Sequence, residues 1–200
     1  MKVGVLGGTF DPIHLGHLMI AEEGRLKLGL KRVLFIPAGQ PWLKADIEIT
    51  PAIRRVEMLK LAIADNSHFE VSTIEIDRLG PSYAVDTMAA LNEQLTTKAS
   101  LFFLMGWDSL AELPLWKEPD RLLQLCRIVA FPRPGYERSD LATFEASIPG
   151  IAQNLVWLEV TPVDISSTDI RRRMAKGLPI GHLVPAGVDR YIKEHRLYGS

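Results

Sequence analysis

Val3-Gly4-Val5-Leu6-Gly7-Gly8-Thr9-Phe10-Asp11-Pro12-Ile13-His14-Leu15-Gly16-His17 is the stretch whose reading decides the fold. Val3 to Leu6 is a short aliphatic run that stops at two glycines, which predicts a buried strand entering a turn. Residues 15–28, apolar at Leu18, Met19, Ala21, Leu26 and Leu28, predict the helix that follows. Two glycines and two histidines therefore fall in the turn and first helical turn after a first strand. In an open α/β sheet ligands bind there, outside the carboxyl end of a strand.

Such a turn suits an anion. Without a Cβ, Gly7 and Gly8 let the backbone approach a phosphate and point N–H groups at it. The helix start adds unpaired N–H groups and a partial positive charge. His14 and His17, three apart, lie on one helical face and can donate to the same group. The set fits a triphosphate better than a dinucleotide. The fingerprint Gly-x-Gly-x-x-Gly, with an acid about 20 residues further on, is absent. The second strand, Val33-Leu34-Phe35-Ile36, ends at Pro37 and offers no ribose-binding carboxylate, which disfavours hydride transfer. The histidine pair lacks a third ligand nearby, and the single cysteine, Cys126, is in another segment, so no metal held by protein ligands is expected.

Composition narrows the class. A chain of 200 residues is read as one domain spanning residues 1–200, long enough to bury a core. A hydrophobic fraction of 47% with 24% charged residues is that of an ordinary soluble protein. A net charge of −1 points to neither nucleic acid nor acidic membranes as a partner. One cysteine forms no internal disulfide, and no signal peptide or apolar run of membrane-spanning length is seen. The expectation is a soluble cytoplasmic protein, a monomer or small homo-oligomer.

Strands and helices are expected to alternate. The strands fall at 2–6, 32–36, 69–76, 100–105, 127–131 and 155–159; the helices at 15–28, 52–64, 83–95, 119–125, 167–175 and 186–195. The fold class is α/β, a single Rossmann-like domain with a mostly parallel central sheet and helices on both faces. Residues 37–50, 77–82 and 132–150 are candidate substrate loops.

Further segments stand at ligand-side positions. Ile165-Ser166-Ser167-Thr168-Asp169-Ile170-Arg171 opens a helix with a serine cap and sets Arg171 about one turn inside it. Pro41-Trp42-Leu43-Lys44 follows the second strand, and Pro81-Ser82-Tyr83-Ala84-Val85-Asp86-Thr87 opens another helix. Strand 100–105 runs into Gly106-Trp107-Asp108, with Trp116-Lys117 close behind, and strand 127–131 runs into Pro132-Arg133-Pro134-Gly135.

Gly7 to His17 resembles the His-x-Gly-His signature of the nucleotidyltransferases related to class I aminoacyl-tRNA synthetases. The downstream segments narrow the resemblance to the bacterial nicotinate-nucleotide adenylyltransferases, over Lys2 to Tyr198. The resemblance implies transfer of the adenylyl group of ATP to nicotinate mononucleotide, with Mg²⁺ accompanying the ATP. It implies that His14, His17, Lys44 and Arg171 are catalytic. ATP would be bound by Gly7, Gly8, Thr9, Phe10, His14, His17, Gly106, Asp108, Ile165, Ser166, Ser167 and Arg171. The mononucleotide would be bound by Thr9, Phe10, Lys44, Ala84, Val85, Thr87, Trp116, Lys117 and Arg133. This chain departs from the family pattern in two places. Trp42-Leu43 stands where Pro-His is usual, and Ala84 replaces a threonine, which removes a hydroxyl from the ring-binding segment.

Other readings differ in the acceptor or in the class. Nicotinamide mononucleotide, phosphopantetheine or a polyol phosphate could replace the acceptor, but Trp116, Arg133 and residues 82–87 favour a pyridine mononucleotide. A silent nucleotide sensor would have no need of His14, His17, Lys44 and Arg171 together. A ligase charging tRNA would need a basic surface that this chain lacks.

Overall fold

The computed structural model describes residues 1–42, 48–95, 99–132, 135, 141–161 and 164–199. Lys2–Gly8 (β1), Arg32–Pro37 (β2), Phe69–Val71 (β3), Ser100–Gly106 (β4), Arg127–Phe131 (β5) and Leu155–Trp157 (β6) form one sheet in the spatial order β3-β2-β1-β4-β5-β6. Every pairing is parallel; Leu6, for example, stands beside Phe35 on one side and Leu104 on the other. The strand order reverses between β1 and β4. The crevice at their carboxyl ends is the topological switch point, where a doubly wound sheet receives its ligand.

The period of two along each strand sends alternate side chains to opposite faces. Leu6, Phe35, Leu104, Val129 and Phe131 join one core. It is covered by Leu15–Leu28 (α1), Ala52–Ile63 (α2), Ser167–Ala175 (α8) and Ala186–Glu194 (α9), through residues such as Ala21, Met58, Ile170 and Val188. Val5, Leu34, Ile36, Phe103 and Ile128 join the other core. Its cover is Ala84–Gln94 (α3), Pro119–Leu125 (α5), Leu141–Ser147 (α6) and Ile151–Asn154 (α7). Runs that are apolar at both alternating sets are what a sheet covered on both faces requires. Helix α1 approaches the sheet through Gly24, where a Cβ would stand 3.2 Å from the Phe131 ring and 3.3 Å from Leu104. None of the described helices is long and apolar enough to cross a membrane.

Several boundaries differ from the sequence reading. The expected strand 69–76 ends at Val71, because Thr73 reverses the chain: its carbonyl accepts from the N–H groups of Ile76 and Asp77 at 2.8 and 2.9 Å. The strand expected at 155–159 stops at Trp157, and helix 83–95 begins one residue later with Tyr83 as its cap. Trp107–Glu112 (α4), α6 and α7 were not foreseen, and α6 lies inside 132–150, which had been read as irregular. These helices have 6, 7 and 4 residues, too few for an apolar period to show.

One side chain ties the carboxyl edge together. Arg55 of α2 is 2% exposed, and each of its three nitrogens donates to a backbone carbonyl at 2.8 Å: Nε to Thr50, Nη1 to Thr9 and Nη2 to Ala38. The Asp11 carboxylate lies near enough to favour its charged form. Truncation would leave three carbonyls without that donor and Asp11 without its counter-charge. Arg55→Ala should lower the free energy of unfolding by at least about 3 kcal/mol in urea titrations. Arg55→Lys should recover only part of that, because an ammonium lacks the planar fork.

Candidate active site

The β1–α1 turn forms the floor of a cleft of about 530 Å³ at the switch point. Gly7, Gly8, Thr9 and Phe10 line it. A Cβ on Gly7 would stand 3.4 Å from the Phe103 ring, and one on Gly8 would stand 3.3 Å from the Phe10 ring. The bare main chain thus faces the cleft with aromatic rings packed close behind it. Phe10 has φ of 50°, a left-handed conformation costly for a bulky residue. Its ring anchors the turn in compensation: it is 1% exposed, edge-on to His17 at 5.0 Å and 6.0 Å from Phe35.

Both histidines face this cleft. His14 caps α1 in an extended conformation, and the two imidazoles stack with centroids 3.6 Å apart. The His14 backbone N–H donates to His17 Nδ1 at 3.3 Å. That bond makes Nδ1 the acceptor, so in the neutral ring the proton sits on Nε2. Gly16 belongs to the same design, since a Cβ there would stand 3.1 Å from His14 Nδ1.

Helix α8 supplies the opposite wall. Ser166 is a true N-cap, its hydroxyl accepting from Asp169 N–H at 3.1 Å. Ile165, Ser166, Ser167 and Arg171 all line the cleft. Two of them are fastened to the β1–α1 turn: Arg171 Nη1 donates to the Asp11 carbonyl at 2.7 Å, and Ser167 Oγ to the Pro12 carbonyl at 2.9 Å. The Ser167 hydroxyl proton is therefore committed to the turn, although the resemblance places Ser167 among the ATP-binding residues. Arg171 Nη2 donates to Thr168 Oγ1 at 3.4 Å, so the guanidinium spans from the β1–α1 turn to the first turn of α8.

The other end of the cleft is built by β4 and α3. Gly106, Asp108, Trp116 and Ala84 line it. Trp116 is half-buried, its ring edge-on to Phe103 at 5.9 Å. Three residues expected there do not line the cleft. Val85 is 1% exposed in the core. Thr87 is equally buried, and its hydroxyl donates to Glu75 Oε1 at 2.7 Å. Lys117 pairs with Asp86 at 3.0 Å and stands over the Tyr83 ring at 4.8 Å. Helix α3 presents Ala84 to the cleft and the next residue, Val85, to the core. Thr87, one turn on from Ala84, is covered by Glu75, which takes its hydroxyl. Lys44 and Arg133 lie outside the described residues.

Some cleft residues escaped the sequence reading. Asp11 is 4% exposed, and its carboxylate accepts from Tyr198 O–H at 2.6 Å and from Thr50 N–H at 3.2 Å. Its place in the quoted turn was visible, but the partners that hold it, 39 and 187 residues away, were not. Glu75, 8% exposed, and Ser82 also line the cleft. An acid between Ile74 and Ile76 was the available signal for Glu75, but a strand reading turns such a residue outward. Among the described residues no three His, Cys, Asp or Glu side chains cluster as a metal site.

Residues 5–173 match the family described as cytidylyltransferase-like. The chain is 49% identical over 198 residues to a Dehalococcoides mccartyi (strain CBDB1) protein named "Probable nicotinate-nucleotide adenylyltransferase", covering 99% of this chain and 97% of the relative. A protein of the same name from Roseiflexus sp. (strain RS-1) is 48% identical over 196 residues, covering 98% and 97%. Among solved structures, the nicotinic acid mononucleotide adenylyltransferase of Plasmodium falciparum complexed with NaAD superposes with a TM-score of 0.80 at 17% identity. The match covers 98% of this chain and 97% of that one, and it is a likeness of fold.

Burial holds the Glu75 carboxyl above its ordinary value of 4.5, outweighing the hydrogen bonds from Thr87 and Ser82 and the nearby Arg78 guanidinium. The folded protein thus binds this proton more tightly than the unfolded chain. The contribution to stability is whole below pH 4.5 and is lost as pH rises through the higher folded value. Urea titrations from pH 4.5 upward should show a shallower fall of stability in Glu75→Gln than in the unaltered protein.

Proposed function

The chain belongs to the nicotinate-nucleotide adenylyltransferases of the cytidylyltransferase-like family, and from that membership we infer that it transfers the adenylyl group of ATP to nicotinate mononucleotide. The products are nicotinate adenine dinucleotide and pyrophosphate. The observation that carries the reading is the convergence on one cleft of the stacked His14–His17 pair and the start of α8, joined by the Arg171 bond to the Asp11 carbonyl.

The acceptor 5′-phosphate is already a nucleophile, so no side chain needs activation. An acceptor oxygen attacks the α-phosphorus in line, the bond from that phosphorus to the bridging oxygen breaks, and pyrophosphate leaves with the electron pair. What the protein supplies is alignment and charge stabilisation. The Gly8-Thr9-Phe10 main chain orients the α-phosphate. His14 and His17 donate to the phosphate oxygens on which charge builds. The N–H groups at the start of α8, near Ser166 and Ser167, hold the leaving pyrophosphate with Arg171 and Lys44. Ile165 and Gly106 flank the nucleoside, and Asp108 accepts from a ribose hydroxyl.

Beside them, toward α3, Trp116 stacks on the electron-poor pyridinium, a favourable pairing with an indole face. The main chain at Ala84, which lines the cleft, receives the nicotinate carboxylate, as the N–H groups of a helix start can. Arg133 takes the mononucleotide phosphate. Mg²⁺ would accompany the ATP phosphates and would supply neutralisation of their charge. We assign the reaction to the cytosol, in one domain, without nucleic-acid or membrane partners.

Pyrophosphate release by the purified protein with ATP and Mg²⁺ tests the assignment, with nicotinate and nicotinamide mononucleotides offered in parallel. Turnover strongly favouring the acid is expected; release with neither compound would sink the reading. His17→Ala should lower kcat by about 100-fold or more while changing the KM for the mononucleotide by no more than about threefold. Equal losses in both would make His17 a binding residue instead.

A further inference from the structure

Glu75 sits where three segments meet, and the adenylyl-transfer mechanism above does not use it. It is 8% exposed, yet it borders the cleft beside Ser82 and Ala84. Thr87 of α3 donates to its Oε1 at 2.7 Å, and Arg78 Nη2 donates to that same hydroxyl oxygen at 3.1 Å. On its other side is Ser82. The Ser82 Oγ accepts from the N–H groups of Gly39 and Gln40 at 2.9 and 3.2 Å, and the Ser82 N–H donates to the Gln40 carbonyl at 2.9 Å. With both lone pairs of Oγ taken, the hydroxyl proton is left for the Glu75 carboxyl, with which it interacts.

The main chain reinforces the junction. A Cβ on Gly39 would fall 2.3 Å from the Glu75 carbonyl oxygen, so the turn after β2 lies directly against this residue and only glycine fits. Two residues beyond Gln40, Trp42 borders the cleft and packs against the Tyr83 ring at 5.9 Å. Tyr83 immediately precedes α3, and its carbonyl accepts from Thr87 N–H at 3.2 Å. A shift in the direction of one proton, on Ser82, would therefore move the 39–42 turn relative to the start of α3.

We propose that Glu75 is a positioning residue for acceptor recognition: by orienting the Ser82 hydroxyl it joins the Gly39–Gln40 turn to the start of α3 and builds the acceptor end of the cleft before the mononucleotide enters. The proposal rests on the adenylyl-transfer reading, since it names which substrate the junction serves. Glu75 acts through Ser82 and Thr87 and takes no part in bond making. Its effect should fall on the mononucleotide, because none of the hydrogen bonds made by Glu75, Ser82, Thr87 and Arg78 reaches the β1–α1 turn or α8, which hold the ATP phosphates. A glutamine at 75 keeps one acceptor oxygen but sets an NH₂ against one of the two hydroxyl donors, so one link is lost at nearly constant volume.

The test is steady-state kinetics on wild type, Glu75→Gln, Ser82→Ala and the double variant, with each substrate varied in turn. Thermal unfolding of each protein reports how much is folded. The expected result is a rise of about tenfold in the KM for nicotinate mononucleotide in each single variant. The KM for ATP and kcat should stay within about twofold. The double variant should be no worse than the worse single one, because both remove the same link. Should Glu75→Gln fail to fold, Ser82→Ala decides by the same ratio of the two KM values. An unchanged mononucleotide KM, an equal rise for both substrates, or multiplied effects in the double variant would each overturn the proposal. A wild-type protein that turns over ATP with no nicotinate mononucleotide present or added would fail the underlying reading instead, and the proposal with it.

Discussion

The carboxyl edge of the sheet depends on a charge placed where water does not reach. Each strand of a parallel sheet ends there with carbonyls pointing out of the ladder, and the loops that follow must find donors for theirs. Arg55 meets that need for Thr9, Ala38 and Thr50 at once, with Asp11 as the nearby opposite charge. A guanidinium suits the task because its donors diverge in one plane. The turn after β1, the turn after β2 and the approach to α2 are thereby held as one unit. The cleft floor is part of that unit, because Thr9 and Ala38 both line the cleft.

A second set of bonds ties the far end of the chain to this unit. Arg171 and Ser167 of α8 reach the Asp11 and Pro12 carbonyls, and Tyr198 reaches the Asp11 carboxylate. Burial and the Asp11 charge both raise the Tyr198 phenol above its ordinary value, so its proton stays on the oxygen and donates. Asp11 is a junction rather than a spare acid: its carbonyl takes Arg171, and its two carboxylate oxygens take Tyr198 and Thr50. The two helix starts that converge on the cleft, those of α1 and α8, are therefore fixed relative to each other in the free protein. Preorganisation of this kind is what a transfer reaction needs when the reactants carry their own nucleophile and leaving group.

Much of the fold was legible because its signals are local. The aliphatic runs of β1, β2, β4 and β5, the serine start of α8 and the apolar faces of α2 and α9 each declare themselves within a few residues. The failures share a cause. Residues 69–76 alternate like a strand, but Thr73 closes a turn that depends on its own carbonyl, which no pattern of side-chain polarity records. Helices α4, α6 and α7 are shorter than the window in which helical periodicity can be seen. In the site, Gly7, Gly8, His14, His17 and Arg171 were legible by their places at the end of a strand or the start of a helix, and all five line the cleft. Thr87 and Lys117 were assigned by position, but the packing of α3 directs one hydroxyl to Glu75 and one ammonium to Asp86.

The sequence alone determined the alternation of strand and helix, the parallel sheet and the two turns that line the cleft, because glycine, histidine and capping residues act on their immediate neighbours. Tertiary structure alone decided which side chains meet. Arg55 reaches Thr9 across 46 residues of chain, Glu75 stands behind Ser82 and Thr87, and Tyr198 closes on Asp11 from 187 residues away. The physical reason is range. Local propensity is set within about one or two turns of chain. Buried charges and hydroxyls are instead satisfied by whatever donor or acceptor the folded core brings within about 3 Å.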